Sequence, residues 1–217
     1  MMRKYFPNDS FTEKGLTLKQ QRGVGMIEVL ITLFILSIGL LGVASMQFVG
    51  SFSNKEALSR TQAVMVAQAM SERLRASVVA SEFTDGFVVN NAYFDPDNYN
   101  FNNLGTCTLT SPYDCFCDAI PSGLPDCQTN MCSAAEVATF DAYQMSCATV
   151  ESNPNATIDV NCTDADPGDA DSCTAGSVQT ITVSWPTTGW QGQERIVNER
   201  CANNGADSDC VIIQVTL

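Results

Sequence analysis

Two groups of side chains in this 217-residue sequence have the types and spacing to do chemistry. The first is a lone carboxylate, Glu28, five positions beyond Gly23 and at the head of a run, Val29 to Ser53, that holds no charged residue. A carboxylate deep in an apolar medium costs about 2.5–3.5 kcal/mol. At the first turn of a helix it is instead favoured by the dipole and can rest among polar headgroups. The residues alone leave both readings open. The second group is ten cysteines: Cys107, Cys115, Cys117, Cys127, Cys132, Cys147, Cys162, Cys173, Cys201 and Cys210. An even number confined to one part of a chain that follows an apolar segment reads as disulfides in an oxidising compartment. Structural zinc sites use separated Cys-x-x-Cys knuckles or a histidine, and neither is present. Cys162 with Cys173 and Cys201 with Cys210 each enclose a polar, Asp-rich segment and are expected to close local loops. The remaining connectivity is open at this stage.

Other chemistry is missing. There is no histidine, so the commonest general base and the commonest metal ligand are both absent. No Gly-rich phosphate loop and no nucleophile–base pair is found. No catalytic residue and no cofactor is therefore expected, and the chain is not expected to be an enzyme. Asp164, Asp166, Asp169 and Asp171 form an oxygen-rich loop. Such a loop can hold calcium, but the spacing does not match an EF-hand, with Gly168 in the wrong place; calcium is the lesser reading and no metal site is expected.

The elements that position these groups follow from charge and periodicity. About 25 uncharged residues suffice to cross a hydrocarbon core of ~30 Å as a helix. Arg3, Lys4, Lys14, Lys19 and Arg22 precede this run and an acidic, Cys-rich body follows it. The positive-inside rule therefore expects a cytoplasmic N-terminus and an external body. Beyond Gly23 stand six basic and 22 acidic residues, a net charge of −16. Such a body repels phosphate backbones, so no nucleic acid is expected as a partner. The plain reading of the charge is a solvated surface.

Lys19-Gln20-Gln21-Arg22-Gly23 followed by Val24-Gly25-Met26-Ile27-Glu28-Val29-Leu30 resembles the class III signal of type IV prepilins. The resemblance implies cleavage by a prepilin peptidase between Gly23 and Val24, and methylation of the new N-terminus at Val24. It makes Glu28 the motif's carboxylate. A buried carboxylate needs a cationic partner, and the N-terminal amine of a neighbouring subunit would supply one, so Glu28 would set the register of assembly. Val24 stands where phenylalanine is commonest. A second Gly-Leu-Thr-Leu, Gly15 to Leu18, lacks a glutamate at the right distance.

Further along, Ile38-Gly39-Leu40-Leu41-Gly42-Val43-Ala44 resembles a signature of the minor pilins of the type IV pilus modification protein PilV family. So do the Ala57 to Ser77 segment, Cys132-Ser133-Ala134-Ala135-Glu136-Val137-Ala138-Thr139-Phe140-Asp141 and Ile181-Thr182-Val183-Ser184-Trp185. Similarity is dense from Arg22 to about Ala76 and patchy beyond. It implies a single-pass inner-membrane minor pilin with a periplasmic domain. Such a protein takes part in priming and assembly of the pilus, enters it at the cell surface, and has roles in adhesion and twitching motility. The implied partners are the prepilin peptidase, the inner-membrane assembly platform and other minor and major pilins. The alternatives are a minor pseudopilin of a type II secretion system, or a DNA-uptake or adhesion module. DNA capture is disfavoured because only Arg195 and Arg200 are basic in the distal part.

The expected organisation is a leader over 1–23, an N-terminal helix over 24–80 with 24–50 in the membrane or filament core, and a Cys-rich domain over 81–217. No proline occurs between Val24 and Pro96, so one helix can run from about Met26 to Ala80, roughly 80 Å at ~1.5 Å per residue. Ala63, Ala67, Met70, Leu74 and Val78 share a face that should pack on the domain. Ser133 and Glu136 form a capping box for a short helix to about Met145. Val178 to Trp185 alternates as a strand with Ile181, Val183 and Trp185 on one face. Glu194 to Arg200 is its expected partner, and Cys210 to Leu217 a terminal strand. Trp185 and Trp190 read as core or turn aromatics. The fold class is α+β, a long pilin-like transmembrane helix against an antiparallel sheet with disulfide-closed loops.

Overall fold

The computed structural model describes residues 23, 25–83, 85–168, 173–186, 200–201 and 208–217. One unit ends at Gly50 and a second runs Ser51–Leu217. The expected long helix, α1, spans Met26–Ala76.

Through Gly50, α1 is exposed on every face. Phe34 is 66% and Leu41 74% exposed. A helix that is apolar all round has no core-facing side, so its surroundings must supply an apolar medium. Its three hydroxyls are satisfied internally. Thr32 donates to the Val29 carbonyl (2.9 Å), Ser37 to Phe34 (2.7 Å) and Ser45 to Gly42 (2.8 Å). Returning these donors to the helix's own backbone removes their cost in a medium without water. By length and composition this helix can cross a membrane.

In the second unit, α1 buries Ala63, Val66, Ala67, Met70, Ser71 and Leu74, four members of the stripe foreseen from periodicity with two additions; the fifth, Val78, lies past the helix and packs on the core only partly buried. The helix stops at Ala76, four residues before its expected end at Ala80. Ser77 turns the backbone: its amide bonds the Arg73 carbonyl (3.0 Å) and its hydroxyl that of Leu74 (3.1 Å). The β-branched Val78 and Val79 that follow favour extended backbone. Val79–Ala80 (β1) instead pairs antiparallel with Phe87–Val88 (β2). Gly86, at φ +154°, precedes β2, and a Cβ there would lie 2.4 Å from the Cβ of Ala175. Only glycine permits that approach.

Three 3₁₀ turns follow: Asn91–Phe94, Pro96–Asn98 and Asn102–Leu104. Asn90 caps the first by accepting from the Ala92 amide, and Asp95 the second by accepting from Asp97, each at 3.0 Å. Pro112–Phe116 forms the short α2. Ala134–Ser152 forms α3, with the expected Ser133–Glu136 capping box present in both directions. It runs seven residues past its expected end at Met145, because contacts distant in sequence hold the extra turns. Ser146 donates to the Tyr99 carbonyl (2.9 Å), and Cys147 is bonded to Cys117.

The sheet has the order β3-β4-β5, all antiparallel. β4, Val178–Pro186, is the foreseen alternating strand, and β5, Ser208–Thr216, is close to the foreseen terminal one. β3, Thr157–Thr163, was not anticipated. Of the expected partner strand, residues 194–199 lie outside the described residues, as does Trp190. The register aligns Ile158, Val183 and Val211, and likewise Val160, Ile181 and Ile213. This face joins Met70, Leu74, Ala138, Ala142 and Met145 in one core, with Trp185 inside it. The architecture is the expected α+β: a long apolar N-terminal helix, antiparallel sheets and several disulfides.

Candidate functional site

The candidate site begins at Gly23, which is exposed. Val24 lies outside the described residues. Gly25 opens α1: its carbonyl accepts from the amides of Glu28 (2.8 Å) and Val29 (3.3 Å). Glu28 therefore sits in the first helical turn with an exposed side chain. It is the only ionisable group from Met26 to Gly50. Its carboxylate stands in the first turn of a helix, where the dipole favours negative charge. Chemically, the arrangement offers one anion, fixed on a rigid helix at the edge of an apolar surface. A cation brought there within that surface would meet little competing water.

The distal domain is held by five disulfides, and no described cysteine is free. Cys162–Cys173 and Cys201–Cys210 are the two local closures foreseen from the sequence. Cys107–Cys115 and Cys127–Cys132 also close short loops. Cys117–Cys147 spans 30 residues and fixes the segment after α2 to α3.

The aspartate loop has a structural explanation. One oxygen of Asp164 accepts from the Thr174 amide (2.9 Å), the Ser177 hydroxyl (3.2 Å) and the Asp166 amide (3.4 Å). These donors, the Thr174 backbone first, hold its carboxyl below the ordinary range. Asp166 accepts from Gly168. Asp169 and Asp171 lie outside the described residues. Among the described residues no group of three or more His, Cys, Asp or Glu could hold a metal ion.

A buried polar node was missed in the sequence. Asp141, on α3, accepts from Arg73 of α1 and from the Tyr93 hydroxyl (2.6 Å). Tyr93 is fully buried, and burial, with Asp141 beside it, pushes its hydroxyl well above the ordinary range. It therefore stays a neutral donor. Tyr99 donates in turn to the Tyr93 carbonyl (2.8 Å). The node ties two helices and a 3₁₀ turn together. Arg73 and Asp141 are 68 residues apart, and no local spacing relates them.

Residues 13–44 match the prokaryotic N-terminal methylation motif. The match covers Lys14, Lys19 and Arg22, then Gly23, Glu28 and the apolar run as far as Ala44. No curated protein and no solved structure gives a significant match to the chain. The motif indicates a type IV pilin-like or pseudopilin-type protein of the kind a prepilin peptidase processes, and α1 fits the membrane anchor of such a protein.

Proposed function

We propose that this chain is a minor pilin, cut between Gly23 and Val24, methylated at Val24, and incorporated into a type IV pilus whose assembly it helps to prime. The observation that carries the reading is the segment of α1 through Gly50, apolar on every face with Glu28 as its one charge. Before assembly, lipid satisfies that surface; within a filament, neighbouring helices do. Glu28 then accepts the charge of a neighbouring subunit's N-terminal amine, which fixes their relative height. The choice of Gly23 over Gly15 rests on spacing. Five residues past Gly15 stands the neutral Gln20, and five past Gly23 stands Glu28.

A minor pseudopilin of type II secretion shares the leader and helix. The five disulfides favour a filament exposed outside the cell, where such bonds persist. The periplasmic placement of the domain, the assembly platform and fellow pilins as partners, and a non-enzymatic role with no cofactor belong to the same reading. Adhesion and twitching follow as consequences of a place in the pilus. Intact-mass and N-terminal peptide analysis of the membrane-bound protein tests the processing step. The expected mature chain begins at methylated Val24, and Gly23→Ala leaves the leader attached. A mature chain beginning at Leu16 would contradict the assignment.

A further inference from the structure

We propose that the cavity between the 3₁₀ turns and α3 is a binding site for one neutral sugar ring. The cavity measures about 240 Å³ and is lined by Asp97, Asn98, Asn100, Asn103, Phe101 and Tyr143, among others. That is below the ~300–1,000 Å³ of pockets that hold drug-sized ligands, which suits a single small ring better than an extended chain.

Asp97, Asn98 and Asn100 are held by local bonds that leave selected atoms over. Asn100 donates to the Pro96 carbonyl (3.1 Å) and to one oxygen of Asp97 (3.2 Å), and accepts from the Asn102 amide. Asn98 donates one amide N–H to the Ala92 carbonyl (2.8 Å). Among the described residues, this leaves the second Asp97 oxygen, the Asn98 oxygen and the whole amide of Asn103 without a protein partner, and Asp97 and Asn103 are exposed to water. Hydroxyls both donate and accept, and a carboxamide offers both functions from one planar group. The apolar wall is also held in place. Phe101 stacks on Phe116 with centroids 5.4 Å apart and planes 10° from parallel. The Tyr143 hydroxyl is occupied by the Phe116 carbonyl (2.7 Å), so its ring is fixed. A sugar presents C–H faces to such rings and hydroxyls to the amides.

The selectivity follows from charge. Among the described residues, Asp97 is the only charged one lining this cavity, and no cation lines it. Anionic sugars and phosphates are repelled and neutral ones are not. Because Asn98, Asn100 and the two rings are held before binding, the ordering cost left to the ligand is that of Asn103. The site belongs to the distal domain and does not depend on assembly into a filament.

The test is saturation-transfer NMR on the full-length protein, in a detergent without sugar headgroups. The probes are methyl glycosides of neutral hexoses and N-acetylhexosamines, with glucuronate and an uncharged tripeptide as counterparts. Saturation transfer to a neutral glycoside is expected, with none to glucuronate or the tripeptide. Asn103→Ala should weaken binding about tenfold, or ~1.4 kcal/mol, with an unchanged melting temperature, because that side chain makes no described hydrogen bond. Asn155→Ala, away from the cavity, should leave binding unchanged, and Asp97→Asn should admit glucuronate. The proposal is overturned if the folded protein binds no neutral glycoside. It is equally overturned if the tripeptide or glucuronate binds in preference, or if Asn103→Ala binds as the unaltered chain does.

Discussion

The first unit and the distal domain solve opposite problems with apolar surface. From Met26 to Gly50, α1 exposes its apolar side chains on all sides and folds each hydroxyl onto its own backbone. From Ser51 onward, the same helix buries a stripe against α3 and a three-stranded sheet, and covalent crosslinks close the loops around it. The first surface is completed only by something outside the chain, whether lipid or other helices. The second is complete in itself. On the proposed function, assembly chemistry belongs to the first segment and stability to the distal body.

Truncating the two surfaces should separate them most sharply. Met70→Ala removes a fully buried side chain and should cost the distal domain about 2–5 kcal/mol. Leu41→Ala removes an exposed one and should leave the domain's thermal unfolding unchanged. Equal effects in the two variants would erase the distinction. The crosslinks give a second contrast. Replacing Cys117 and Cys147 together by serine opens a closure of 30 residues and should cost roughly 3.5 kcal/mol. The same change at Cys127 and Cys132 opens one of five residues and should cost roughly 2 kcal/mol. Denaturant titration of the two variants checks the order.

Acid should act on the domain with the smallest effect. Glu136 is held below its ordinary 4.5 by the Ser133 backbone and side chain. Asp164 is held below its ordinary 3.8 by the Thr174 backbone. Each binds protons more readily when unfolded, so its contribution is complete above those ordinary values. It is lost as pH falls through the lower folded ones. The domain's melting temperature should therefore decline below about pH 4.5, and Glu136→Gln should make that decline shallower. The helix content of the apolar segment, whose side-chain bonds are those of neutral hydroxyls, should hold over the same interval.

The same division governs what could be read from the sequence. The apolar segment was legible because its signal is local: an uncharged run, a glycine and a carboxylate at fixed spacing. β4 and the α3 capping box were legible for the same reason, through alternation and a three-residue offset. So were the Cys162–Cys173 and Cys201–Cys210 loops, each with its partner a few residues away. What stayed hidden is set by tertiary contacts. β3 carries only Ile158 and Val160 between polar residues, and its strand character comes from pairing with β4. The last turns of α3 hold unpromising residues such as Ser146, Cys147 and Thr149, kept helical by a distant carbonyl, a disulfide and core burial. The Arg73–Asp141–Tyr93 node and the Cys117–Cys147 bond join positions that no periodicity relates. The Asp-rich loop shows the reverse failure: a conspicuous pattern whose described members serve backbone amides.

The central claim is that Glu28 turns a membrane anchor into a filament subunit. Quantifying the protein in sheared pili and in membranes, for the unaltered chain and for Glu28→Gln, tests it most directly. The account predicts equal processing and equal membrane levels, with the Glu28→Gln chain lost from the sheared fraction. Equal amounts of both chains in the pili would contradict it.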